Sequence, residues 1–246
     1  MITVRPVKGL PEIEAGAALG RMLAQAAAPA ADEVVVVSQK VVSKAEGRLR
    51  DLGDAQPGPR AIELAAKLGK DPRMVQLVLD ESRAVLRAER GVLIVETHSG
   101  LVCANAGIDA SNVPGADRVA LLPEDPDASA RRLRAEIAAA CGNRPAVLVA
   151  DSFGRAWRLG QADVAIGCAG LLPLDEWTGR RDTDGRELTA TAIAVADEAA
   201  AAASLARDKT SGTPAAVISG LGRFVSAEDG PGAAALRRGE ADDLFR

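Results

Sequence analysis

Short runs of aliphatic and β-branched residues recur along the whole chain, and they constrain its fold more than any other feature of the sequence. An apolar run that does not alternate with polar residues is typical of a strand covered on both faces. We therefore predict strands in these segments: Glu33–Ser38 (EVVVVS), Gly91–Thr97 (GVLIVET), Leu101–Asn105 (LVCAN), Pro145–Ala150 (PAVLVA) and Pro214–Gly220 (PAAVISG).

Helical patterns lie between these runs. Arg131–Cys141 places Leu133 and Ile137 at helical spacing, and Gly142 follows as a C-terminal stop. Glu187–Arg207 is rich in alanine and predicts a long helix that packs closely on a sheet. Together these elements predict an α+β fold of mixed strands and helices. We expect residues 1–246 to form a single catalytic domain of two lobes.

The composition excludes some classes of partner. Of 246 residues, 48% are hydrophobic but only 2% are aromatic, so the core must be aliphatic and few rings are present to stack on bases. A net charge of −4 argues against nucleic-acid binding, which needs a clustered basic face. No basic start leads into a signal-like apolar stretch, and no uncharged apolar run approaches ~18 residues. We expect a cytoplasmic protein that binds neither membranes nor nucleic acid.

Cysteine and histidine are too scarce for several common mechanisms. Cys103, Cys141 and Cys168 have no C-x-x-C spacing, and His98 is the single histidine. A zinc site of Cys and His would lack ligands at suitable spacing. A Ser-His-Asp or Cys-His triad would need His98 as its base.

The segment Ser38–Arg48 (SQKVVSKAEGR) follows an apolar strand directly. The chain has no G-x-x-x-x-G-K-[ST] loop, so a nucleotide would need another cradle. As a strand-end loop, Ser38–Arg48 would present Lys40, Lys44 and Arg48, cations suited to phosphate oxygens. A solvated basic turn is the alternative, because charge is common in loops.

Two further segments carry acidic residues after predicted strands. In Asn105–Val113 (NAGIDASNV), Asp109 and Asn112 offer oxygen ligands of the kind that magnesium prefers. The alternative is a turn, in which Asp and Asn side chains bond nearby backbone. In Val147–Gly160 (VLVADSFGRAWRLG), Asp151 stands at the end of a buried strand, where sites of layered α/β proteins open. Helix capping is the alternative role for Asp151.

Basic residues follow Asp151 and also precede the last predicted strand. Arg155 and Arg158 around Trp157 suit an anionic substrate, although a surface stack would use the same residues. In Arg207–Pro214 (RDKTSGTP), small and hydroxyl residues would wrap phosphate through backbone N–H groups, or would only connect a helix to a strand. Acidic strand ends beside basic loops favour phosphate-and-metal chemistry, without naming a substrate.

These segments together resemble the coenzyme F420 gamma-glutamyl ligases. The resemblance extends in order over essentially the whole chain. The matching runs are VKGLPEI from Val7, SQKVVSKAEGR from Ser38, DPRMVQLVLDES from Asp71, GVLIVETHSGLVCANAGIDASNV from Gly91, LLPEDPDASA from Leu121, DSFGRAWRLGQADVAIGCAGL from Asp151, VADEAAAAASL from Val195 and DDLF from Asp242.

The resemblance implies a specific reaction. Members of that family join L-glutamate to the lactyl carboxylate of the coenzyme precursor F420-0 and then add a gamma-linked glutamate. They split GTP to GDP and phosphate by way of an acyl phosphate. The resemblance also implies two divalent ions, Mg²⁺ or Mn²⁺, a possible role for K⁺, and a homodimer.

The resemblance further implies roles for individual residues. Metal ligands fall on Asp109, Asp151 and Ser152, with Asp109 and Asp151 as the catalytic pair. Contacts to GTP fall on Leu10, Pro11, Glu12, Ile13, Gln39, Lys40, Lys44, Asn112, Arg207, Asp208, Lys209, Thr210, Ser211, Gly212, Thr213 and Pro214. Some relatives have an acid or amide metal ligand where this chain has Lys209. Arg155, Trp157 and Arg158 are our own assignment to the phosphodiester and ring of the precursor.

Rival hypotheses remain open at this point. A ligase of the same fold with a different acceptor would share the metal ligands. A non-catalytic protein would bind GTP without turnover. A hydrolase would use Ser152 as its nucleophile, although no base accompanies it within its motif.

Overall fold

The computed structural model of the chain describes residues 1–111, 115, 117–207 and 212–243. The strands are β1 (Thr3–Val7), β2 (Val34–Ser38), β3 (Leu49–Asp51), β4 (Ser82–Glu89), β5 (Val92–Thr97), β6 (Val102–Ala104), β7 (Arg118–Ala120), β8 (Ala146–Arg155), β9 (Arg158–Ala169), β10 (Asp175–Glu176), β11 (Ala192–Ile193) and β12 (Ala215–Ser219). The α-helices are α1 (Leu19–Ala27), α2 (Gln39–Ala45), α3 (Pro59–Leu68), α4 (Pro72–Asp80), α5 (Pro126–Cys141) and α6 (Val195–Ala206). The predicted α+β fold of mixed strands and helices is confirmed.

The main sheet has the strand order β1-β12-β2-β8-β9. Strands β2 and β8 are parallel, and the other neighbours are antiparallel. The side chains of 34–37 and 146–149 are all fully buried, which confirms that these apolar runs are strands covered on both faces. Because side chains alternate across a strand, each run supplies two different cores.

Helices cover both faces of the main sheet. On one face, Val35 and Val37 pack in a core that includes Leu23 and Leu133 of α1 and α5. On the other face, Val34 and Val36 pack in a core with alanines of α6. The small side chains of α6 allow its backbone to approach the sheet, as its composition predicted. The main sheet is thereby fixed as a rigid platform.

A second, smaller layer lies beside this platform. Strands β4, β5 and β6 form an antiparallel sheet, and β3 pairs with β7. Leu93 and Val95 of β5 are fully buried in a core with residues of α3 and α4. Strand β6 also contacts β8 of the main sheet. The opposite face of this three-stranded sheet is therefore left without a covering helix among the described residues.

Both predicted helices are present, but each begins at a different residue from the one predicted. The helix expected at Arg131–Cys141 begins earlier, at Pro126, and its Asp125 cap accepts a hydrogen bond from Ala128. It ends before Gly142, which has a φ of 79° and thus the expected left-handed stop. The start at Glu187 is wrong, since α6 begins at Val195. Residues 187–194 instead pair with residues 175–181 across a two-stranded ladder and its turn.

Two local expectations are also corrected. Ser38–Arg48 is not a loop, because α2 occupies Gln39–Ala45 and Ser38 is its N-cap residue. The strand predicted to end at Ala150 continues to Arg155 as one arm of a hairpin, so Asp151 lies within a strand and caps no helix. Within the described residues, no helix has both the length and the apolarity that a membrane crossing requires. The two lobes and the homodimer stay predictions.

Asp127 joins three separate parts of the fold. Its buried carboxylate accepts hydrogen bonds from the backbone N–H of Cys168 (2.8 Å), Ala233 (2.7 Å) and Ala234 (3.2 Å). A Cβ on the neighbouring Gly167 would lie 2.1 Å from the carbonyl oxygen of Pro126, so α5 meets β9 with no space for a side chain. This contact holds α5 against the sheet.

We expect Asp127→Ala to lower the free energy of unfolding by about 2–4 kcal/mol, since three backbone donors would lose their acceptor in the interior. Urea denaturation followed by circular dichroism measures the change. Glu63→Ala, which removes an acid from the exposed face of α3, should change it by less than about 0.5 kcal/mol. Equal effects from the two substitutions would contradict the role given to Asp127.

Candidate active site

The topology of the main sheet brings distant segments of the chain to one edge. Strands β1 and β2 both end at this edge, and the antiparallel β12 begins there, since Val7 and Val37 both pair with Ala215. Ser38 pairs with Ala150 of β8, so Asp151 is the next residue along the same edge. We call this edge of the main sheet the site edge. Segments far apart in sequence therefore surround one space.

That space is a cleft of about 2160 Å³ between the site edge and the three-stranded sheet. Most of the described residues that the sequence marked as functional line it. They are Leu10, Pro11, Glu12, Ile13, Gln39, Lys40, Lys44, Asp109, Asp151, Ser152, Arg155, Trp157, Arg207, Gly212, Thr213 and Pro214. Arg158 is not among the lining residues. Asn112, Asp208, Lys209, Thr210 and Ser211 lie outside the described residues.

Asp109 is held by a basic partner from α2. The ammonium of Lys40 donates to its Oδ2 at 2.8 Å and also contacts the carbonyl oxygen and hydroxyl of Ser111 at 2.6 and 2.8 Å. The backbone N–H and hydroxyl of Ser111 donate to the same carboxylate. Burial opposes ionisation, but the hydrogen bonds from Lys40 and Ser111 outweigh it and lower the pKa of Asp109. Asp109 is therefore ionised at neutral pH.

Asp151 has the opposite electrostatic character. Its pKa is raised to about 6, chiefly by burial and also by the charges of Asp163 and Asp109, against a backbone hydrogen bond from Ser152 and the charge of Lys40. Its ionised form is thus costly in the folded protein. A buried carboxyl group near other carboxylates in a cleft is a common feature of functional sites.

A network around Asp163 positions Ser152 and the end of α6. The Ser152 hydroxyl donates to Asp163 Oδ1 at 2.6 Å, and Arg207 forms an ion pair with Asp163 Oδ2. Arg207 also donates to the carbonyl oxygen of Pro214 at 3.2 Å, which links both ends of the segment 207–214. Sequence analysis did not single out Asp163. Its pairing with Ser152 across the β8–β9 hairpin is a property of strand register.

The segment after β1 and helix α2 form the other wall of the cleft at the site edge. Ile13 is buried and Leu10 packs against the same core, which anchors the segment Leu10–Ile13. Glu12 forms an ion pair with Lys44, whose side chain is almost fully buried. The Gln39 side chain is also buried and accepts a hydrogen bond from the Ser43 hydroxyl at 2.9 Å. The polar side chain of Gln39 is thus directed into the protein interior.

The β8–β9 hairpin extends beyond the sheet at the mouth of the cleft. Arg155 pairs with Arg158, and the turn between them places Trp157 at a φ of 65°. Trp157 is 87% exposed, and Leu159 is 96% exposed. The Arg155 guanidinium donates to the carbonyl oxygen of Leu159 at 2.6 Å. The role assigned to Arg155, Trp157 and Arg158 in substrate binding stays a prediction.

A strained loop connects β6 to Asp109. Asn105, Ala106 and Gly107 have successive φ values of 51°, 54° and 69°, and two of these residues carry a Cβ. Such backbone conformations are costly and cluster at binding and catalytic sites. The Oδ1 atom of Asn105 is buried without a hydrogen-bond partner among the described residues. Asn105 lines the cleft, so this acceptor is open to a group that the described part of the chain does not supply.

Nucleophilic alternatives are not supported by the geometry. His98 does not line the cleft, and its Nε2 atom lies 3.0 Å from the Asp80 carbonyl oxygen. Burial raises the pKa of Cys103 and of Cys168 to about 12, so neither is a thiolate at neutral pH. Ser152 donates to a carboxylate, not to a histidine. Among the described residues, no three His, Cys, Asp or Glu side chains form a ready cage for a metal ion.

Replacing Asp151 by Asn should stabilise the protein at pH 8 when EDTA removes divalent ions. Since the pKa is raised in the folded state, stability associated with the protonated carboxyl is lost as the pH rises from 3.8 to about 6. The gain from the variant should therefore appear over that window and reach ~1–3 kcal/mol. Thermal unfolding between pH 4 and pH 8 measures it.

Asp109→Asn is the matched comparison, because the folded-state pKa of Asp109 is lowered. Its carboxylate contributes stability above the ordinary pKa, and that contribution is lost as the pH falls. Asp109→Asn should thus destabilise the protein at pH 8. Destabilisation by both substitutions at pH 8 would contradict the electrostatic difference described above.

Comparisons with known proteins identify the family of this chain. A family model described as F420-0:Gamma-glutamyl ligase matches residues 9–220. The coenzyme F420:L-glutamate ligase of Haloarcula marismortui is 47% identical over 219 residues, which cover 86% of this chain and 84% of the relative. The ligase of the same name from Methanothermobacter thermautotrophicus is 39% identical over 252 residues, or 100% of this chain and 99% of the relative. That from Archaeoglobus fulgidus is 43% identical over 221 residues, or 89% and 88%. The resemblance noted from the motifs is confirmed, and the chain belongs to the F420-0:gamma-glutamyl ligase family.

Proposed function

We propose that this chain is a GTP-dependent ligase of the peptide-synthase type. It joins L-glutamate to the lactyl carboxylate of F420-0, adds a further glutamate through a gamma-linkage, and releases GDP and phosphate. The relatives named above are ligases of coenzyme F420 and L-glutamate, which supports this acceptor and this amino acid. The observation that carries the proposal is the meeting of Asp109, Asp151, Ser152 and Lys40 in one cleft, from three separate parts of the chain.

The chemistry requires activation of the acceptor. A carboxylate is too electron-rich for attack by an amine, so one of its oxygens first attacks the γ-phosphorus of GTP. The bond from that phosphorus to the β–γ bridging oxygen breaks, and GDP leaves. The glutamate nitrogen then attacks the acyl carbon of the acyl phosphate, phosphate leaves, and a proton passes from nitrogen to water or a nearby carboxylate. Both steps depend on positioning and on neutralisation of phosphate charge.

The donor set fits divalent ions. Mg²⁺ takes oxygen ligands, and it binds proteins through one or two carboxylates together with water and substrate phosphates. Asp109, Asp151 and Ser152 would hold such ions, and the unpartnered Oδ1 of Asn105 is a further oxygen in the same cleft. Two Mg²⁺ or Mn²⁺ ions would neutralise the charge on the transferring phosphoryl group. The possible role of K⁺ stays a prediction from the resemblance.

The side chains of the site edge have separate tasks in this proposal. Lys40 supplies a fixed positive charge beside Asp109, within reach of a phosphate group bound there. Lys44 is held by Glu12 and so keeps the segment after β1 against α2. Arg207 fixes both Asp163 and Pro214, and thereby holds the final loop next to Ser152. GTP contacts at these residues, a homodimer and a cytoplasmic location remain part of the proposal.

Two rival functions differ in their products. A ligase with another acceptor would leave F420-0 unchanged, whereas a non-catalytic protein would bind GTP without releasing GDP. A Ser152 hydrolase is disfavoured because the single histidine lies outside the cleft.

Purified protein incubated with GTP, Mg²⁺ or Mn²⁺, L-glutamate and F420-0 should form products heavier by one and by two glutamyl units. Asp109→Asn and Asp151→Asn should each reduce kcat/KM by about 1000-fold or more, because each removes a carboxylate that would hold the ions that neutralise the transferring phosphoryl group. Mass spectrometry identifies the glutamyl products, and GDP release, followed in parallel, gives kcat/KM for the wild type and the variants.

Asp184→Asn is the matched control, since it makes the same chemical change at an exposed turn. It should retain full activity, and circular dichroism should show that all variants are folded. ATP in place of GTP should give far less product. Full activity of either site variant would refute the metal assignment, and an unchanged precursor with the wild-type protein would refute the acceptor.

A further inference from the structure

The three-stranded sheet of β4, β5 and β6 has two unlike environments on its two faces. One face is buried against α3 and α4 through Leu93 and Val95. The other face forms a wall of the cleft. We call this wall the apolar sheet face and define it by Leu86, Val92, Ile94, Val102 and Ala104, all of which line the cleft.

Strand register places these side chains together. Ile94 of β5 lies opposite Ala104 of β6 and opposite Arg87 of β4. The pairing shifts by one residue between Val85 and Arg87, so Leu86 is the extra residue of a β-bulge. Val92 lies two residues before Ile94 and therefore points to the same side. The surface is aliphatic at these five positions, and Arg87, Glu89 and Glu96 lie on the same side, opposite Ile94, Val92 and Val102.

The composition of this face is unusual for its position. Antiparallel sheets with one buried face normally place polar side chains on the other. Here Val92 is 44% exposed and Val102 is 43% exposed, next to the partly exposed Ile94. A contiguous apolar patch inside a cleft is the usual mark of a surface that a ligand covers.

We propose that the apolar sheet face binds the flat deazaflavin ring of the acceptor. This inference rests on the proposed function. Strand β6 runs from Val102 through Ala104 directly into Asn105 and the loop that carries Asp109. A ring on this face therefore directs its tail along β6 toward the carboxylates, where the reacting carboxylate has to lie.

Other occupants fit this face less well. The described residues proposed to contact GTP belong to the segment after β1, to α2, to the end of α6 and to residues 212–214 before β12, on the site edge opposite the apolar sheet face. A second copy of the chain would need roughly 800 Å² of surface per partner for a stable interface. Five partly covered aliphatic side chains within a concave wall do not provide such an area.

Binding without turnover tests the inference. Deazaflavins fluoresce, so F420-0 and a deazaflavin without its phospholactyl tail are titrated with protein in the absence of GTP and glutamate. Ile94→Asp should raise the Kd for both ligands at least tenfold, because it places a charge under the ring.

Ile62→Asp is the matched control, since Ile62 is 54% exposed on α3 and does not line the cleft. It should bind both ligands as the wild type does. The Kd for GTP, measured by calorimetry with Mg²⁺, should stay within twofold in every variant. If Ile94→Asp is unfolded by circular dichroism, Ile94→Ala and Val102→Ser replace it, each with an expected threefold or greater loss of ring binding.

The outcomes separate this inference from the proposed function. Ring binding that is lost in Ile94→Asp supports the inference even if no glutamyl product ever forms. Unchanged ring binding in the folded variants overturns it, even if ligation proceeds. A loss of GTP affinity equal to the loss of ring affinity would assign the face to the nucleotide base. A change in oligomeric mass by light scattering would assign it to a subunit contact, and either result overturns the proposal.

Discussion

The negative charge of Asp151 is the constraint on which the rest of the site depends. Burial and the neighbouring carboxylates Asp163 and Asp109 oppose its ionisation, and its pKa rises to about 6. The two neighbours already have cations, Arg207 for Asp163 and Lys40 for Asp109. Asp151 instead faces a cleft in which an oxygen of Asn105 also lacks a partner among the described residues. In the proposed function a divalent ion would supply the positive charge that stabilises the ionised form of Asp151.

The fold supplies this arrangement by strand topology. Because β2 and β8 pair in parallel, the start of α2 lies beside Asp151. Strand β12 is antiparallel to β2 and begins at the same edge, so the end of α6, which precedes β12 in the chain, is brought to this edge as well. The smaller sheet then adds Asp109 through a strained loop and adds an aliphatic wall beside it. The cleft thus divides into a polar side, suited to a triphosphate, and an apolar side, suited to a ring. In the proposed function the carboxylates lie where these sides meet.

Sequence patterns predicted much of this fold because its strands are apolar and β-branched. The runs around Val34–Val37 and 146–149 are buried on both faces, so no polar alternation obscured them. Helix α2 was missed since its lysines and glutamine resemble a basic loop, and the β8 extension was missed since Asp151 and Ser152 end the apolar run. Asp109 and Asp151, which the motifs marked, both line the cleft. Asp163, the positive φ of Asn105 and the apolar sheet face depend on register and backbone geometry, which one-dimensional patterns do not contain.

The central claim is that Asp109 and Asp151 together hold divalent ions against the phosphates of a nucleotide. A crystal grown with Mn²⁺ and a non-hydrolysable GTP analogue, with anomalous scattering collected for manganese, tests it most directly. We predict anomalous peaks within coordination distance of both carboxylates and of the phosphate oxygens. Two aspartates that remain apart, with no peak between them and the phosphates, would contradict the account.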